Sequence, residues 1–174
     1  MKGKNAATEV DFFQKYMPGD VCFGCGQENS QGLRIRSYWD QNECVCVWTP
    51  EQKHQGWPGL TCGGIIATLI DCHCMACAMA TAHRNENRPL GSEPAYRFAT
   101  GSLKIKFVQP TPIRSPLTLR SQVVNIRKER IYTMRCDIFS ENEKTVEAEV
   151  IAFLVYRSDQ DPDLKGSSHF SAGS

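Results

Sequence analysis

The stretch GGIIATLIDCHCMACAMATA, from Gly63 to Ala82, is apolar or small at nearly every position and carries a single acid, Asp71. No other part of the chain constrains the fold as strongly. Asp71 and His73 near its centre penalise a membrane span, and the run is rich in Ala and Cys where spanning helices use Leu, Ile and Val. A helix apolar on every side is one surrounded by its own protein. The run therefore predicts a long central helix from about Thr61 to about His83, with no membrane partner. Asp71 must then be neutralised, paired or used, because an isolated buried charge is too costly to keep.

The flanks read as strands. GLRIRSYW and ECVCVWT alternate apolar with polar residues and should form a hairpin across DQN. Beyond the helix, GSLKIKFVQP, PLTLRSQVVNI, RIYTMRCDIFS and KTVEAEVIAFLVY follow at short spacing. The last is apolar on both sides towards its end, which suits an inner strand. Short links predict antiparallel neighbours, and the order predicts an α+β fold, an antiparallel sheet wrapped around one long helix. Residues 1–20 read as a peripheral arm, 21–157 as the domain, and the polar, Gly/Ser-rich 158–174 as a disordered tail.

A net charge of +1 leaves no broad basic face, so no nucleic-acid partner is expected. The N-terminus has no apolar h-region, which predicts a cytoplasmic protein in a reducing compartment. There the nine cysteines should be free thiols or metal ligands, not disulfides. CFGC (Cys22, Cys25) with Cys74, Cys77 and His73 offers a zinc-like set. Cys74 and Cys77, however, fall within a buried helix that disfavours thiolates, so the expectation is core cysteines and no metal. His83 and His169 read as surface residues.

Gly63 and Gly64 on the first helical turn cost about 1 kcal/mol each relative to Ala. They allow another group to approach the backbone, where first-turn amides lack intrahelical acceptors. That end of the helix is either a close packing contact or an oxyanion site. Asp71 lies about 12 Å further along the helix. One small carbonyl cannot meet both in one chain, so a shared site requires a second copy. The alternative for Asp71 is a buried acid held by a hydroxyl or a backbone amide.

HQGWPGLTCGGIIATLID, followed by TGSLKIKFVQPTP, resembles the hotdog-fold acyl-CoA thioesterases of the PaaI-like and 4-hydroxybenzoyl-CoA thioesterase group. CFGCGQENSQGLRI resembles the N-terminal stretch of one branch of them. The resemblance implies a hotdog fold that hydrolyses an acyl-CoA or related acyl thioester without a cofactor, as a homodimer or a dimer of dimers. It implies Gly63 as the amide donor to the thioester oxygen, Asp71 as general base or nucleophile, and Thr100 as the hydroxyl that helps to hold the attacking water. Gln55, with His54 beside it, stands near the family's polar loop residue, and Cys62 and Gly64 complete the substrate side. Cys62 stands where the family usually has His. That departure keeps a non-catalytic hotdog protein, binding acyl thioesters or acting as an assembly partner, as the alternative. A dehydratase or hydratase is a further reading, but the His-plus-Asp helix pattern of those enzymes is not found. Lys104 and Lys106 read as a solvated strand face; with Arg114 they are also candidates for CoA phosphates.

Overall fold

The computed structural model describes residues 10–17 and 20–160. Of the tail expected to be disordered, residues 158–160 are described, and Ser158 is buried, its Oγ accepting from Ala95 N–H at 2.9 Å and its N–H donating to Ala95 O at 3.1 Å. Residues 161–174, His169 among them, lie outside the described residues, as does most of the N-terminal arm. Strand β1 (Ser37–Asp40) and β2 (Glu43–Trp48) precede helix α1 (Gly63–Asn85), and β3 (Tyr96–Phe107), β4 (Leu117–Arg127), β5 (Ile131–Ser140) and β6 (Glu143–Arg157) follow it. All pairings are antiparallel, in one six-stranded sheet of order β1-β2-β4-β5-β6-β3. β6 is an inner strand, as its two-sided apolar pattern predicts, and β3 is an edge.

The strands alternate because one face packs on α1. Leu117, Leu119, Met134, Cys136, Ile138, Val146, Val150 and Ala152 are all fully buried on that inner face. On the outer face Lys104 pairs with Glu149 at 3.7 Å and Lys106 with Glu147 at 3.5 Å. These two lysines therefore belong to cross-strand ion pairs between β3 and β6. The helix has the length and apolarity of a membrane span, yet it is enclosed on most sides by this sheet and is buried at Ile66, Leu69, Ile70, Cys74 and Ala76 through Ala80.

Four expectations change. The first strand is shorter than GLRIRSYW, because Arg34 adopts a positive φ of 52° and residues 33–35 bond elsewhere: Leu33 N–H to Phe23 O and Ile35 N–H to Gly24 O. The arm is not wholly peripheral: Phe12 and Phe13 are buried, and Phe13 packs edge-on against Trp39. Two apolar side chains so close to the domain are cheaper inside than exposed. His83 is buried rather than on the surface, its Nδ1 3.0 Å from Met79 O and its ring edge-on to Tyr96. The free-thiol expectation fails for one pair: Cys44 of β2 and Cys77 of α1 form a disulfide in the fully buried core. They are 33 residues apart, and only the laying of β2 over the helix brings them together. Cys46, Cys74 and Cys136 are buried free thiols, and burial pushes Cys46 up to about 12.

A polar cluster crosses the same core. His73 is fully buried, with Nδ1 2.9 Å from Ser37 Oγ and Nε2 2.9 Å from Ser121 Oγ. Gln14 Nε2 donates to Ser37 Oγ at 3.0 Å. Each ring nitrogen has a partner, which is what a buried imidazole requires. Burial holds its pKa down at about 4.

Candidate active site

Helix α1 opens at Cys62, which caps it without a side-chain hydrogen bond. Its entrance is pinned from outside: Cys62 N–H donates to His54 O at 2.9 Å and Thr61 N–H to Thr111 O at 2.8 Å. Gly63 and Gly64 are exposed, and their amides, on the first helical turn, have no intrahelical acceptor. Cys62 is half-buried, and a Cβ on Gly64 would lie 3.8 Å from its Sγ. The ring of Phe107, at the end of β3, borders Gly63: a Cβ there would lie 3.4 Å from Phe107 Cζ. Phe107 itself is 54% exposed. The amides thus sit at the positive end of a 23-residue helix, beside an exposed aromatic ring. Nothing in the strand pattern distinguished Phe107; only the crossing of β3 past the helix entrance places it there.

Along α1, Gly64, Thr68, Asp71 and Met75 share the face that the sheet leaves partly open. Asp71 is half-buried on it. The Thr100 hydroxyl, from the middle of β3, donates to Asp71 Oδ1. Thr100 is exposed, so the carboxylate–hydroxyl pair lies at the protein surface between helix and edge strand. The acid is paired with a hydroxyl and remains open on its other side. Both the structural and the chemical reading of Asp71 from sequence named such a hydroxyl.

The loop before α1 is held by the side chains that the sequence placed near the substrate. His54 is buried, its ring 4.8 Å from Trp48, and its Nδ1 accepts from Glu51 N–H at 2.9 Å. Burial lowers the His54 pKa. Gln55 Oε1 accepts from Gly59 N–H and from Gln52 Nε2, each at 3.0 Å. Within the chain these two residues build the loop that fixes the helix entrance; Gln55 is only half-buried. Arg114 donates to Gln52 Oε1 at 2.8 Å, on the same loop.

The structure thus brings Asp71 to Thr100, and Gly63 to Cys62, Gly64 and the His54–Gln55 loop. The two groups stand at opposite ends of two helical turns, about 12 Å apart along the axis. Such an arrangement supplies a carboxylate poised by a hydroxyl at one point, and helix-terminal amide donors at another. These are the elements of acyl transfer through a stabilised oxyanion.

Comparison with known proteins agrees. Acyl-coenzyme A thioesterase THEM4 of Bos taurus is 28% identical over 116 residues, covering 67% of this chain and 42% of that protein. The chain thus spans less than half the length of that relative. A thioesterase superfamily protein from Shewanella loihica PV-4 superposes with a TM-score of 0.57 at 26% identity, covering 70% of this chain and 91% of that one. A hypothetical thioesterase from Streptococcus pneumoniae TIGR4, solved with coenzyme A, shares the fold with a TM-score of 0.56 at 14% identity, covering 67% and 84%. The model of the thioesterase superfamily matches residues 59–147, half of the chain, from the loop before α1 through the first residues of β6. Because that match takes in the helix entrance, Asp71 and the strand carrying Thr100, within a sheet-and-helix fold of the hotdog type, the chain belongs to the thioesterase superfamily.

Proposed function

We propose that this protein hydrolyses an acyl-CoA or related acyl thioester to the free acid and thiol. The observation that carries the reading is the Thr100 hydroxyl donating to Asp71 on the open face of α1. Asp71 serves as general base or nucleophile, and Thr100 holds the attacking water beside it. The Gly63 amide, at the positive helix end, takes the charge that develops on the thioester oxygen. Cys62, Gly64 and the His54–Gln55 loop form the rim of that end. The family membership and the coenzyme A bound to the pneumococcal neighbour support a CoA-type carrier.

Both halves of the site act together only across two chains. β3 is a 12-residue edge strand, and its other edge has no strand beside it among the described residues. Thr100 and Asp71 lie by its middle, and Phe107 and Gly63 by its end. A two-fold antiparallel pairing of β3 with its copy, centred between Leu103 and Lys104, sets Thr100 opposite Phe107 of the second chain. Asp71 of one chain then faces Gly63 of the other. The homodimer carries two such sites, and a dimer of dimers carries four. The reading also keeps the protein in the cytoplasm, which fractionation of its native cells tests.

The test is complementation. Asp71→Ala removes the acid. Gly63→Pro removes the amide hydrogen at the first helical position, where Pro is tolerated and where Cys62 already has the extended backbone (ψ 132°) that a residue before Pro requires. Each variant alone should lose hydrolysis of an acyl-CoA panel followed with a thiol-trapping reagent. Co-refolded mixed dimers hold one intact site and should regain activity. If both variants stay dimeric and their mixture stays inactive, the two-chain site is wrong. If Asp71→Ala hydrolyses like the wild type, the mechanism is wrong; if the wild type binds the panel without turnover, the protein is a binder.

A further inference from the structure

The CFGC motif forms a tight knuckle against α1, one residue from Asp71. Cys22 N–H donates to Asp20 Oδ1 at 2.9 Å, Gly26 N–H to Cys22 O at 2.9 Å, and Gly24 N–H to Cys22 Sγ at 3.3 Å. The stretch 33–35, expected to begin the first strand, instead holds the knuckle through its bonds to Phe23 O and Gly24 O. Gly24 lies so close to the helix that a Cβ would stand 2.3 Å from Cys72 Sγ and 2.9 Å from Thr68 Cγ2. Only glycine permits that approach. Its result is that the sulfurs of Cys22, Cys25 and Cys72 all lie within 4.8 Å of one another, with Cys22 and Cys72 at 3.6 Å.

We propose that Cys22, Cys25 and Cys72 bind a thiophilic divalent ion, zinc by its donor set, which clamps the N-terminal knuckle to the helix beside Asp71. Tetrahedral zinc with Zn–S of about 2.3 Å places its sulfurs roughly 3.8 Å apart, close to the spacing here. An all-thiolate protein set selects zinc over harder ions. The set differs from the one that the sequence offered: Cys77 is committed to Cys44, and Cys72, not Cys74, faces the knuckle. Cys25 and Cys72 are buried and Cys22 is exposed, so the fourth coordination position opens to solvent. Asp20 stands beside it, its Oδ2 accepting from the Cys25 thiol at 3.2 Å.

Metal entry releases the thiol protons of the three cysteines to solvent, with no change in oxidation state. The alternative chemistry is a disulfide from Cys22 to Cys25 or Cys72. Three converging sulfurs and an amide donated to one of them favour the ion, since a disulfide leaves the third thiol unused.

The full-length protein, purified anaerobically without chelator or added metal, should carry about one zinc per chain by elemental analysis. After chelation, Co2+ should restore a thiolate-to-cobalt charge-transfer band, and Zn2+ should abolish that band. Cys22→Ser and Cys72→Ser should each remove the band and the bound zinc, whereas Cys136→Ser, at a buried thiol outside the cluster, should keep both. Because Cys72→Ser is buried and can misfold, the wild type supplies a second readout: chelator should lower its melting temperature and Zn2+ restore it. A folded wild type with no zinc and no cobalt band overturns the proposal. So does a Cys22–Cys25 or Cys22–Cys72 disulfide found by peptide mapping of the anaerobic protein, or zinc retained in both serine variants.

Discussion

Thr100 on β3 donates its hydroxyl proton to Asp71 Oδ1 on α1, joining an edge strand to the open face of a helix otherwise enclosed by the sheet. The pair lies 29 residues apart in sequence and binds the acid on one side only. Asp71→Asn keeps the shape and the hydrogen-bonding capacity but loses the base. It should lower kcat by roughly 10²–10⁴-fold with folding unchanged, checked by steady-state hydrolysis beside circular dichroism.

Thr100→Val removes the hydroxyl while retaining a β-branched strand residue. A lost hydrogen bond to a charged group is worth about 1.5–3 kcal/mol, so kcat should fall roughly 10- to 100-fold. The change should appear in kcat more than in KM, because the hydroxyl positions the nucleophile and does not grip the carrier. Thr100→Ser should recover most of the loss. A KM-only effect would place Thr100 in substrate binding instead.

Stability should fall in mild acid through His73. The imidazole titrates near 6.5 when unfolded and at about 4 in the buried site between Ser37 and Ser121. Between those values the unfolded chain binds more protons, so stability is fully present above about pH 6.5 and declines towards pH 4. The loss is roughly 3 kcal/mol. His54, lowered by its own burial, adds in the same direction. Denaturant unfolding at stepped pH measures this, and His73→Gln should flatten the slope.

The Cys44–Cys77 bridge closes a span of 33 residues between β2 and α1. Chain-entropy reasoning puts its contribution at roughly 3–4 kcal/mol. Reduction, or paired Cys44→Ala and Cys77→Ala changes, should shift the denaturant midpoint down accordingly. Free-thiol counting under denaturing conditions should find two more thiols after reduction than before it.

Much of the architecture was legible because periodicity reports burial directly. The all-apolar run from Gly63 became a helix enclosed by a sheet, and the alternation in KIKF and TLRSQV marked which side of each strand faces that helix. Strand ends were less legible. Arg34 breaks the first strand through a backbone conformation that side-chain alternation does not encode, and Phe13 joins the core through tertiary packing.

By itself, the sequence determined the elements, their order and the incompatibility of Gly63 and Asp71 with one site in one chain, since these follow from spacing and helix rise. Only the tertiary structure decided which side chains meet across elements. Spacing along the chain says nothing about contacts made when a strand or loop crosses a helix. Thus Thr100 reaches Asp71, Cys44 finds Cys77 in place of a free thiol, and Cys72 turns towards Cys22 and Cys25 while Cys74, two residues on, enters the core. Successive helical residues point about 100° apart, so two positions, about 200° of turn, separate a core thiol from one facing the knuckle.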